Sequence, residues 1–187
     1  MASPSSPETI PCPLWAIDCQ RDENGKVSFF NCIARDITDR KEAEKALRYR
    51  LELEGLVAHL STSFINLKAD EVDSGIDRAL KEIGEFMGVD RSYIFQFSDD
   101  MRIMDNTHEW CQKGVIPQIQ ALKNMPTMQF PWTITKLKRF EVVHVPRVSE
   151  LPQEASAEKK TFGEQSIKSL ILVPLVYSGN LVGFAGL

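Results

Sequence analysis

Three side chains able to bind a metal or activate a nucleophile crowd the stretch HEWC: His108, Glu109 and Cys111. Imidazole and thiolate are both good zinc ligands. A cysteine beside a histidine could also form a nucleophile–base pair. The stretch reads as a strand, however, and a strand turns successive side chains to opposite faces. His108 then falls with Trp110, and Glu109 with Cys111. His108 and Cys111 can share an ion only across a bulge, so no metal site is expected. No nucleophile–base pair is readable elsewhere, which argues against an enzyme. Cys12, Cys19, Cys32 and Cys111 match neither a zinc spacing nor a CxxC redox pair, and read as reduced thiols of a cytosolic protein. His59 in VAHLSTSF reads as a solvated or interface histidine, and His144 in VVHVP as a surface one. Lys136, Lys138 and Arg139 read as a solvated helix face rather than an anion site, and no Gly-rich phosphate loop is present.

The elements that position these residues follow from composition and periodicity. The chain has 187 residues, 43% of them hydrophobic and 26% charged, with a net charge of −4. Such a balance gives no pull toward nucleic acid. The apolar run from Leu170 to Tyr177 is far short of the roughly 20 residues that span a membrane. The Ser- and Pro-rich start, residues 1–13, is expected to be a disordered tail.

Leu14 to Gln20 and Lys26 to Arg35 predict a hairpin, turned at Asn24-Gly25, where both residues tolerate positive φ. A charged helix follows, capped by Asp36 or Asp39. Arg40 and Glu44 open an i,i+4 ladder along it. Leu53, Val57, Leu60, Phe64 and Leu67 recur at steps of four and three, a heptad seam in a helix over 38–68 that predicts loose dimer contacts first and then packing on the domain that follows. A second helix spans about Val72 to Met87, with Ile76, Leu80, Ile83 and Met87 on its buried face and Gly88 as its C-cap. Strands are expected at 91–97 and 101–111, helices opened by Pro117 and Pro131, a strand at 141–145 and mostly helix over 149–165. Two strands joined at Ser178-Gly179-Asn180 end the chain. The fold class is α+β with an antiparallel sheet.

The hairpin and the run Asp36, Ile37, Thr38, Asp39, Arg40, Lys41 resemble the end of a PAS domain. That resemblance covers about residues 14–48 and divides the chain into a PAS-terminal hairpin (14–37), a connecting helix (38–68) and a further domain (69–187). Residues 52 to 187 resemble a GAF domain, incomplete at its C-terminus. The matching pieces include DRSYIFQF, THEWC, PW at 131–132, SIKSLILVPL and GNLVGFAG. The resemblance implies a dimeric sensor module of a bacterial signalling protein such as a two-component histidine kinase or a cyclic-dinucleotide enzyme. It would relay ligand or conformational input through the helix, with Asp36, Ile37, Thr38 and Arg40 at the signalling junction and Leu53, Val57, Leu60 and Phe64 in the dimer. His59 lacks the residues that surround a kinase phosphoacceptor histidine.

In the GAF family a small-molecule pocket lies between one sheet face and the short helices beyond the second strand. The matching positions are Tyr93, Phe95, His108, Trp110, Trp132 and Phe162. Such aromatics either line a cavity or fill a core. Some GAF domains attach bilins through a cysteine. Residues 131–165 contain none, so covalent bilin attachment by that route is disfavoured. A pure dimerisation scaffold without ligand is the rival reading.

Overall fold

The computed structural model describes residues 16–21, 24–33 and 36–187, and the expected tail over 1–13 lies outside them. The chain divides into two compact units, residues 1–57 and 58–187. The first contains a two-stranded antiparallel hairpin of β1 (Ala16–Arg21) and β2 (Val27–Ile33). Gly25 has φ +78° in its turn, the left-handed backbone that the Asn-Gly pair predicts.

Helix α1 (Thr38–Ile65) follows. Asp36 Oδ1 accepts a hydrogen bond from the Thr38 N–H at 2.8 Å, so the first of the two candidate aspartates caps the helix. The Thr38 bonds hold the Asp36 carboxyl below the usual carboxylate range. Arg40 and Lys41 both pair with Glu44 at 2.9 Å. These contacts are exposed and add little stability.

In the second unit, α2 (Val72–Met87) ends where Gly88 takes the left-handed conformation, and Val89 N–H bonds back to the Gly84 carbonyl at 3.1 Å. The buried face of α2 differs from the expected one. Gly75, Ala79, Leu80 and Gly84 are buried, while Met87 is exposed. Small residues let the helix approach its neighbours closely. Gly75 lies under Leu67, and Gly84 under the Trp110 ring.

The sheet has six antiparallel strands in the order β5-β4-β3-β8-β7-β6. They are β3 (Arg91–Phe97), β4 (Ile103–Cys111), β5 (Met125–Pro126), β6 (Val143–Val145), β7 (Leu170–Tyr177) and β8 (Asn180–Gly186). This is a GAF-like curled antiparallel sheet with flanking helices. Ser178 (φ 49°) and Gly179 (φ 78°) form the tight turn between Tyr177 and Asn180, which pair across β7 and β8. One sheet face carries α2 over β3 and β4. The other carries the hydrophobic core, with Phe95, Phe97 and Phe184 from the strands meeting Leu137, Phe130 and Phe162 from α3 (Pro131–Lys138), α4 (Ser156–Glu164) and their flanks.

Two expected helical stretches differ. Residues 117–123 form turns and bends: the Ala121 and Leu122 N–H groups both donate to the Gln118 carbonyl, and the Leu122 carbonyl is then taken by the Asn106 N–H of β4. Over 149–165, Pro152 separates a 3-10 turn at Val148–Glu150 from a second at Gln153–Ala155, which runs directly into one true helix, α4.

Candidate ligand cavity

Strand β4 carries a bulge that sets up the site. Phe97 pairs with Met104 and Phe95 with Asn106, but Ile94 pairs with His108, so Thr107 is extra. The local backbone is tied down. Thr107 Oγ1 donates to the Ile94 carbonyl at 3.3 Å, and the Asn106 amide donates to the His108 and Ile94 carbonyls at 2.9 and 3.1 Å. Because of the extra residue, Met104 and Glu109 both face the core side. In an uninterrupted strand, residues five apart would face opposite ways.

The cavity between that sheet face and the α3–α4 layer has a volume of about 700 Å³. Its walls are aromatic. Tyr93 meets Phe95 edge-on at 5.7 Å, Phe95 stacks on Phe184 at 5.1 Å, and Phe130 stacks on Phe162 at 5.9 Å. Tyr93 keeps some surface toward the cavity but is otherwise enclosed by protein. Burial, first of all, pushes its phenol up to about 12. At one end, Glu109 Oε2 accepts from Gln118 N–H at 2.7 Å and Ile119 N–H at 2.9 Å, and Arg91 Nη1 lies 3.1 Å from Oε1. Arg91 Nη2 donates to the Ile116 carbonyl at 2.7 Å. Thr133 and Ile134 of α3 also line the cavity.

The start of α3 depends on a distant residue. Phe130, at its N-cap, has no acceptor side chain, and Pro131 has no N–H. The next two donors, on Trp132 and Thr133, reach Glu158 Oε1 of α4 at 2.7 and 3.1 Å. Glu158 is fully buried, and its second oxygen has no hydrogen-bond partner. A carboxylate at a helix N-terminus satisfies orphan donors and meets the positive end of the dipole.

Of the expected pocket residues, Tyr93, Phe95 and Phe162 line the cavity. His108 and Trp110 do not. They share the opposite sheet face with Ile94 and Ser92, their cross-strand partners, where Trp110 covers Gly84 and His108 Nε2 lies 3.5 Å from Asp73 on α2. The register explains the correction, since pairing with Ile94 fixes His108 on the face away from Tyr93 and Phe95. Trp132 packs against the core from outside the cavity, with the Lys136 ammonium 5.1 Å from its ring centroid. His108 and Cys111 lie on opposite faces. Burial, followed by the Glu109 charge, raises the Cys111 thiol above its ordinary value.

Arg91, Glu109 and Thr133 are among the cavity residues that the sequence reading did not place there. Glu109 pairs with Tyr93 across the strands, so counting register from Arg91 opposite Cys111 would have found it.

In α1 no residue is buried, and the heptad positions split. Leu53, Val57 and Phe64 are 37%, 56% and 41% exposed, whereas Leu60 is half-buried beside α2. His59 stands 3.5 Å from Glu82 of α2 and is largely exposed. Among the described residues, no helix is long and apolar enough to cross a membrane.

The GAF domain model matches residues 71–187, and the chain belongs to that family, whose domain is sensory rather than catalytic. The chain is 34% identical over 174 residues to the methanogenesis regulatory histidine kinase FilI of Methanothrix harundinacea; the match covers 89% of this chain and 19% of that protein. The chain thus spans about a fifth of that relative's length. Among solved structures, the phycocyanobilin-bound GAF domain of a cyanobacterial phytochrome superposes with TM-score 0.59 and 18% identity, covering 71% of this chain and 77% of that one. The phycoerythrobilin-bound GAF domain of a cyanobacterial phytochrome gives TM-score 0.60 and 17% identity, covering 73% of this chain and 81% of that one. At such identities the likeness establishes the fold.

Proposed function

We propose that this chain is the sensor region of a cytoplasmic two-component histidine kinase, in which the end of a PAS domain (residues 14–37) leads through a connecting helix into the GAF domain. The observation that carries this reading is the reach of the similarity. It covers 89% of the chain, beyond the GAF segment at 71–187 alone, and the relative is a histidine kinase. That relative also favours a kinase over a cyclic-dinucleotide enzyme as the parent. The chain itself senses, and catalysis belongs to other parts of the parent protein.

Input arrives as a small molecule in the cavity. A ligand shifts a conformational equilibrium only by the difference in its affinity for the two states. The walls best placed to supply that difference are α3 and the 112–124 turns, each held by one carboxylate, Glu158 and Glu109. Output travels along α1. Its exposed Leu53, Val57 and Phe64 pair with the same residues of a second copy, and Asp36, Ile37, Thr38 and Arg40 fasten the hairpin to the helix without a glycine hinge.

Sedimentation velocity tests the relay. The wild-type chain is expected to dimerise, and Val57→Glu with Phe64→Glu to give monomers. A strictly monomeric wild type at high concentration overturns the pairing. Native mass spectrometry tests the input, since a chain that neither retains nor is stabilised by any small molecule is a scaffold.

A further inference from the structure

We propose that the cavity selects planar ligands presenting N–H or O–H donors, uncharged or cationic, over isosteric anions, with Glu109 as the main determinant. This rests on the reading of the cavity as a ligand site. Two of the residues that line it each carry a buried oxygen without a hydrogen-bond partner, Glu109 Oε1 and Thr133 Oγ1. The Glu109 side chain is 1% exposed and Thr133 is 3% exposed. Buried polar atoms in folded proteins are nearly always paired, so an orphan acceptor in a cavity wall marks a place where a donor belongs.

The neighbouring groups decide the sign. Glu109 Oε2 is already used by two backbone N–H groups. Arg91 Nη1 is 3.1 Å from Oε1, close enough to pair electrostatically but not aligned to donate. The same guanidinium is anchored through Nη2 to the Ile116 carbonyl. It therefore neutralises Glu109 without offering a free fork to an anion. At the rim, Asp90 and Lys168 are both exposed and oppose each other in charge. An entering anion would lose its hydration and meet the Glu109 oxygen beside a guanidinium already engaged with Glu109 and Ile116, while the exposed Lys168 ammonium stays in water. A donor would fill the vacant acceptor. The Phe95, Phe184, Phe130 and Phe162 rings give the remainder of the wall a flat, apolar shape.

The test uses three isosteric probes on the whole chain: benzamidine, benzamide and benzoate, titrated by ligand-observed NMR. Benzamidine and benzamide are expected to bind at least about tenfold more tightly than benzoate. Glu109→Gln, which keeps an acceptor for Gln118 and Ile119, is expected to shrink the benzamidine-to-benzoate ratio to below about threefold. Thr133→Val, nearly isosteric, is expected to weaken benzamide while the protein stays folded. Benzoate binding as tightly as benzamidine overturns the selectivity and leaves the cavity as a ligand site. An unchanged ratio in folded Glu109→Gln removes Glu109 as the determinant. Absence of binding by all three probes overturns the ligand-site reading and the selectivity with it.

Discussion

Replacing Glu158 by alanine is expected to destabilise the GAF domain by about 2–3 kcal/mol. Glu158 Oε1 holds the Trp132 and Thr133 N–H groups at 2.7 and 3.1 Å. Hydrogen bonds to a charged acceptor contribute roughly 1.5–3 kcal/mol each, so the gross figure is about 3–6 kcal/mol. Burying a carboxylate with one oxygen unpartnered costs several kcal/mol and offsets part of this. Alanine recovers that cost but leaves two helix donors without an acceptor in a dry site, because Phe130 cannot cap them. Glu158→Gln separates the contributions. It keeps an acceptor for the same donors and removes the buried charge, so it is expected to stay within about 1 kcal/mol of the wild type. Urea unfolding followed by tryptophan fluorescence measures both variants, with an unchanged m-value as the check that only stability moved. The reasoning fails if Glu158→Ala lies within about 0.5 kcal/mol of the wild type, or if Glu158→Gln loses as much as Glu158→Ala.

Gly84→Ala places a methyl group inside the Trp110 ring and is expected to cost about 1–3 kcal/mol, read as a lower urea midpoint. The Tyr93 phenol is raised from 10.0 to about 12 in the folded chain, so its stabilising contribution is complete below about pH 10 and is lost as pH rises through about 12. Alkaline unfolding should therefore be shallower in Tyr93→Phe, and the tyrosinate absorbance assigned to Tyr93 should appear with unfolding rather than before it. Cys111, with its thiol raised by burial and by Glu109, is expected to alkylate more slowly in the folded chain than after denaturation, as followed by intact mass.

Elements with local punctuation were legible in the sequence. Gly88 stops α2, Pro131 starts α3, and Ser178-Gly179 turns β7 into β8, each through backbone chemistry that its own residue type dictates. What depended on tertiary partners was not. The 117–123 stretch has a proline start that suits a helix, but the Asn106 N–H of β4 takes the Leu122 carbonyl and the stretch stops after one turn. The α2 face was misplaced because glycine and alanine carry little hydrophobic signal and yet permit the closest approach. Glu158 stands in SAEKKTFGE, where Phe162 alone signals a buried side and nothing marks the glutamate as part of it. The hint lay elsewhere, in Phe130-Pro131, a helix start with no capping side chain of its own.

The cavity draws Met104 and Glu109 from a single strand, an even and an odd position, and only the extra residue at Thr107 makes that possible. Chain length at this point is therefore a property of the site itself. Among relatives of this domain, a one-residue gap at position 107 would carry more meaning than most substitutions. It would remove the bulge while keeping Phe97 opposite Met104 and Ile94 opposite His108, so both faces would persist and the tie from Thr107 to the Ile94 carbonyl would be lost. Homologues that differ there should be compared as carriers of a differently bent strand behind the same lining residues, even where their aligned letters agree.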